Sequence, residues 1–115
     1  MIVCKRIYDP PGADDGRRLL VDRLWPRGVS REAARLDDWL KELAPSDGLR
    51  RWFGHNPALW EEFRARYREE LKTHGELLDD LRAEAKRGTV TLLFAARDTE
   101  HNNAVVLKEM LNEGK

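Results

Sequence analysis

Two apolar runs in this chain change abruptly into charged and hydrogen-bonding residues. One is Leu20-Val21-Asp22-Arg23-Leu24-Trp25-Pro26-Arg27-Gly28. The other is Thr91-Leu92-Leu93-Phe94-Ala95-Ala96, continuing into Arg97-Asp98-Thr99-Glu100-His101-Asn102-Asn103. Each run reads as a buried strand. In an open α/β sheet, ligands sit outside the carboxyl ends of the strands, so two such transitions in a small chain predict a shared site.

The remaining pattern supplies the elements around them. Ile2 to Tyr8 reads as a first strand, and Asp9 to Gly16 as an exposed, mobile loop rich in turn formers. A second strand runs from Arg18 to Trp25 and stops at Pro26, which cannot donate to a ladder. Ser30 is placed to cap a short helix, and the apolar spacing of Leu36 to Leu43 predicts another, up to Pro45. A further short helix starts at Ser46 and is ended by Gly54. Asn56-Pro57 is a helix start, with Trp60, Phe63, Tyr67 and Leu71 on one core-facing side and charged residues opposite. Leu77, Leu78 and Leu81 mark a helix that gives way at Gly88. Thr89 to Ala96 forms the third strand and Ala104 to Leu111 the last helix.

Strand-rich ends and a helical middle predict an α/β fold. Residues 1–115 are read as one three-layer domain with a small, mostly parallel sheet and helices on both faces. The connection before the second strand is shorter than the dozen or so residues usual for a crossover, so an antiparallel first strand stays open. The length suffices to bury roughly two-thirds of the unfolded surface without staples.

Charge does not direct the chain to a polyanion, since Lys plus Arg and Asp plus Glu each number 21. Any anion site must therefore be local. The single cysteine, Cys4, lies in an apolar run and reads as a small buried thiol, consistent with a reducing, cytoplasmic setting. No stretch of ~18 apolar residues or basic-then-apolar leader is present, so the expectation is a protein that neither spans a membrane nor is exported.

The stretches Lys5 to Pro11, Leu20 to Gly28, Trp39 to Ser46, Trp52-Phe53-Gly54-His55 and Thr91 to Asn103 together resemble the YeaO-like branch of domain-of-unknown-function family 488 (DUF488) over nearly the whole chain. The resemblance implies a small bacterial or archaeal cytosolic α/β protein and supplies no reaction. The broader family often carries cysteine and a Cys-His-Arg run near its last strand. This chain has Asn102-Asn103-Ala104 in the matching region, so a thiolate-based redox or metal role is not carried over.

The chemistry concentrates at the two strand ends. Strand alternation puts Asp22 and Arg23 on opposite faces, each kept either by a structural ion pair or by a ligand. Arg27, restrained by Trp25-Pro26, can fork onto a carboxylate or phosphate, while Trp25 either stacks on a ligand or closes the core. Asp98 or Thr99 is placed to cap the last helix, whose start would attract an anion near His101 and Asn102. His101, with Asp98, is the acid/base candidate, and a hydrogen-bonding surface role is the alternative. Trp52 to Pro57 forms either a lid or a packed corner. No metal-ligand spacing, Walker loop, GxGxxG or GxSxG occurs.

The leading expectation is a binding protein or enzyme for an anionic small molecule, with catalytic candidates His101 and Asp98 and ligand-binding candidates Lys5, Arg23, Arg27, Arg97 and Asn102. No metal or particular cofactor is implied, and the sequence is silent on oligomeric state. A nucleic-acid module using Arg50, Arg51, Arg64, Arg66 and Arg68 ranks below it, because interleaved glutamates deny it a net basic face. A protein-interaction domain using the aromatic corner is the third reading.

Overall fold

Val90–Phe94 is buried at every position, as a strand covered on both faces must be, and it forms the centre of the sheet. The computed structural model describes residues 1–114. In chain order the elements are β1 (Ile2–Arg6), β2 (Arg17–Leu20), α1 (Arg31–Ala34), β3 (Asp38–Trp39), α2 (Asp47–Phe53), α3 (Trp60–Leu71), α4 (Gly75–Arg87), β4 (Val90–Phe94) and α5 (Asn103–Glu113), with 3-10 turns at Lys41–Leu43, Pro57–Leu59 and Lys72–His74. The strands are ordered β1-β4-β2-β3 and all neighbours are parallel. Arg18 lies opposite Thr91 and Lys5 opposite Leu93.

Period-two alternation divides the side chains between two faces. Ile2, Leu19, Val90, Leu92 and Phe94 join the main core with residues of α2 to α5. Leu20 and Leu93 point the other way, into a smaller cluster with Ile7 and Ala34 that the 7–16 loop, α1 and the segment around Trp25 and Trp39 cover. The sheet is thus covered by helix on both faces, but unequally, with the four longer helices on one side and the single turn of α1 on the other. Trp60 is half-buried, while Phe63, Tyr67 and Leu71 are buried as their spacing predicts. Phe63 stacks on Phe53 with ring centroids 4.2 Å apart. The Tyr67 hydroxyl donates to the Leu43 carbonyl.

The first strand is parallel, which resolves the alternative left open by its short connection. Going back past a strand about 16 Å long and across two strand spacings, about 10 Å, needs roughly 19 Å, and ten extended residues reach about 33 Å. Omitting the helix is what makes residues 7–16 sufficient. The loop is mostly exposed, but it is anchored rather than mobile at its end. Asp15 accepts from Lys5 Nζ (3.2 Å), Arg18 Nη1 (2.5 Å) and the Gly12 N–H (2.9 Å), and its carbonyl accepts from Thr91 Oγ1 at 2.7 Å.

β1 and β4 stop at Arg6 and Phe94, two residues short of the expected Tyr8 and Ala96, and two further stretches differ from the sequence reading. The second strand ends at Leu20, although the Val21 N–H still donates to Leu93 O at 3.1 Å. Leu36 to Leu43 is not a helix. It holds the edge strand β3 and a 3-10 turn, with the Leu40 N–H donating to Leu20 O at 2.8 Å. Its apolar residues serve two faces, Leu36 and Trp39 packing on the smaller cluster while Leu40 and Leu43 enter the main core. A segment wrapping round a sheet edge therefore carries the spacing of a helix.

Candidate functional site

Because β2 and β4 are adjacent and parallel, their carboxyl ends open on one edge, and a cleft of about 750 Å3 lies there. Its lining comes from both strand ends, residues 22–27 and 95–98, from the start of α5, and from Arg50, Phe53 and His55 at the α2 corner. The Trp52–Pro57 corner therefore supplies a wall as well as packing, with Gly54 (φ 52°) and His55 (φ 58°) both left-handed.

Asp22 organises this edge. Its Oδ2 accepts from the Ala95 N–H at 2.9 Å and its Oδ1 from Asn103 Nδ2 at 3.1 Å. Asn103 Nδ2 also donates to Val21 O, and Trp39 Nε1 to Asp22 O. One side chain thus ties the ends of β2 and β4 to α5. Burial pushes the Asp22 carboxyl above its ordinary value, against the downward pull of the Ala95 N–H, Asn103 and His55.

That direction fixes a pH dependence. A carboxyl with a raised folded pKa holds its proton more tightly folded than unfolded, so its ionisation opposes folding. The cost is absent below the unfolded value, about 4, and grows as pH rises through the folded one. Relative to Asp22→Asn, the wild type should therefore lose stability as pH rises from about 4, as read by denaturant unfolding at several pH values. Parallel stability curves would show that burial does not penalise the charge.

Asn102, buried at the start of α5, is the helix cap in place of Asp98 or Thr99. Its Oδ1 accepts from the Val105 N–H at 3.1 Å and its Nδ2 donates to Asp98 O at 2.9 Å. Asp98 instead shapes the preceding turn, accepting from the Glu100 and His101 N–H groups. The Glu100 N–H first, then the His101 ring, hold its carboxyl below the usual carboxylate range.

The arginines differ in what they already hold. Arg23 Nε donates to Pro45 O at 3.1 Å and lies 3.8 Å from Asp47 Oδ1. Arg50 reaches the same carboxylate at 3.4 Å, and its buried Nε has no partner. Arg27 and Arg97 are exposed, and among the described residues neither makes a salt bridge or donates a side-chain hydrogen bond. Trp25 both lines the cleft and closes the smaller core, donating to Val29 O, meeting Trp39 edge-on at 5.4 Å and carrying Arg31 on its face.

Of the sequence candidates, the structure brings Arg23, Arg27, Arg97, Asp98 and Asn102 to the cleft. Lys5 does not reach it. Its place in β1 turns it to the crossover face, where it pairs with Asp15. His101 is not among the lining residues either: its Nδ1 lies 2.9 Å from Asp98 Oδ2 and its ring stands edge-on to Trp60 at 5.1 Å. Asn103, His55, Arg50 and Tyr8 join the cleft beyond the sequence candidates, as does Asp22, which the sequence leaves between an ion pair and a ligand.

Elsewhere, Cys4 donates to Ala104 O at 3.3 Å, and burial pushes its thiol up to about 11, which suits packing rather than nucleophilic chemistry. The arginines of α3 are engaged with carboxylates, Arg64 and Arg68 on Glu109 and Arg66 on Glu62. Among the described residues, no three His, Cys, Asp or Glu side chains gather as metal ligands.

A family model described as the inactive DUF488-N3 subclade matches residues 1–114. The chain is 44% identical to the uncharacterized protein YeaO of Escherichia coli over 113 residues, covering 96% of each. It is 41% identical over 107 residues to uncharacterized proteins of Mycobacterium bovis and Mycobacterium tuberculosis, covering 93% of this chain and 90% of theirs. No solved structure gives a significant match.

Proposed function

The chain belongs to the inactive DUF488-N3 subclade, and on that premise we propose that its cleft binds a small phosphate- or carboxylate-bearing molecule without transforming it. The observation that carries this reading is a local excess of positive charge in a chain of zero net charge. Arg23, Arg27, Arg50 and Arg97 line the cleft with two carboxylates, Asp22 and Asp98; Arg23 and Arg50 share Asp47, while among the described residues Arg27 and Arg97 hold no acidic partner. Guanidinium groups suit this task because their planar fork matches both carboxylate and phosphate.

No helix of the described residues is long and apolar enough to cross a membrane. Together with the free, partly buried Cys4, this supports a cytosolic setting for such a ligand.

The test is a thermal-shift screen of phosphate, nucleotides and dicarboxylates. A binder at 100 times its dissociation constant stabilises by about 2.7 kcal/mol. Arg27→Ala should leave the melting temperature unchanged or slightly raised, since among the described residues its side chain has no partner to lose and the Tyr8 hydroxyl bonds only to its backbone carbonyl. The same change should weaken the anion by roughly tenfold or more. A large loss of stability with unchanged affinity would return Arg27 to a structural role.

A further inference from the structure

The cleft is not uniformly basic, and its exception is informative. Asp22 lies at its inner end, mostly buried but still part of the lining, whereas Arg27 and Arg97 are exposed. A carboxylate offers about four acceptor positions on its two oxygens. The fold uses one on each, for the Ala95 N–H and for Asn103 Nδ2. Asp22 is also a lining residue, so the acceptor positions the fold leaves open on it are what a ligand donor would use. A bare anion pushed inward meets like charge there, whereas a molecule that presents a hydroxyl meets a strong acceptor.

Building on the anion-binding reading, we propose that the ligand is a hydroxylated phosphate or carboxylate of the sugar-phosphate or sugar-acid class. Its anionic group is held by Arg27 and Arg97 at the mouth, and a hydroxyl is donated to Asp22 at the inner end. The distribution of the lining fits such a molecule. Phe53, Phe63 and Trp25 supply walls for its carbon skeleton, and Arg27 and Arg97 lie toward solvent, where a charged end keeps part of its hydration. Asp22 then sets specificity, because a site built to pair a hydroxyl rejects the analogue that lacks it.

The experiment compares three probes by titration calorimetry: inorganic phosphate, propyl phosphate and glycerol 3-phosphate. The wild type should bind glycerol 3-phosphate at least tenfold more tightly than propyl phosphate. Asp22→Asn should lose that preference. Because Asp22 also ties the strand ends, an amide NMR measurement on the wild type gives the same answer without a variant. The Ala95 N–H, bonded to Asp22 Oδ2, should shift with glycerol 3-phosphate and much less with propyl phosphate. Equal affinities for the two esters, equal Ala95 shifts, or a preference that survives in Asp22→Asn would overturn the hydroxyl assignment while leaving anion binding in place. Failure of all three probes to bind the wild type would overturn both.

Discussion

Arg18→Ala is expected to cost about 3–5 kcal/mol of folding stability, the loss typical of removing one member of a buried ion pair. Arg18 is 5% exposed in the middle of β2 and is consumed by internal partners. Its Nε and Nη2 donate to Ala34 O at 3.1 and 2.8 Å, Nε also lies 3.2 Å from Arg35 O, and Nη1 meets Asp15. One guanidinium therefore fastens the end of α1 and the crossover loop to the sheet. Alanine would leave the buried Ala34 carbonyl without these donors and open a cavity beside Leu20 and Leu93. The Gly12 N–H, then Lys5 and Arg18, hold Asp15 below the usual carboxylate range, so its contribution is present above about pH 4 and lost as pH falls through its folded value. With Arg18 removed that acid-linked loss should shrink. Denaturant unfolding at pH 7 and pH 3 measures both effects, and a loss below about 1 kcal/mol at pH 7 would mean that the network is not supporting the loop.

Gly16→Ala should be nearly as damaging, at about 2–4 kcal/mol, from left-handed strain together with overpacking. Gly16 has φ 61°, and a Cβ there would lie 2.1 Å from the Thr89 carbonyl oxygen. That oxygen accepts the Arg17 N–H at 3.0 Å, so the clash falls where β2 first meets the start of β4. Gly28 provides the comparison. It has φ 73° with nothing within 4 Å of an added Cβ, so its alanine variant should cost only the backbone strain, about 1 kcal/mol. Equal losses in the two variants would show that the close approach at Thr89 is not a constraint.

Much of this architecture was legible because it follows from local periodicity. The uninterrupted apolarity of Val90–Phe94 identified a doubly covered strand, and the stripe through Phe63, Tyr67 and Leu71 identified the core face of α3. The two strand ends do share an edge, since adjacent parallel strands place Leu20 beside Leu93. What escaped depends on pairing across the chain. Leu36 to Leu43 carried helical spacing because it wraps an edge and serves two clusters. Residues 9–16 looked like a mobile loop because the bonds that anchor Asp15 come from Lys5 and Arg18, on two strands that β4 separates.

The candidate site was legible in part. Arg23, Arg27, Arg97, Asp98 and Asn102 follow directly from the carboxyl ends of β2 and β4. Lys5 lies away from the cleft because strand alternation, not nearness in sequence to a strand end, decides which face a side chain meets. His101 is not among the lining residues, because its ring is held between Asp98 and the edge of Trp60. His55 and Arg50 come from a corner that reaches the edge only through packing of α2 on α3, which spacing along the chain does not encode.

An amide NMR titration of the wild type with inorganic phosphate tests the central claim, that this edge is an anion-binding site. Saturable shifts should concentrate in residues 22–28 and 95–103, which carry Arg27, Arg97 and the start of α5. Shifts confined to α3 and α4, away from this edge, or none at millimolar phosphate, would contradict it.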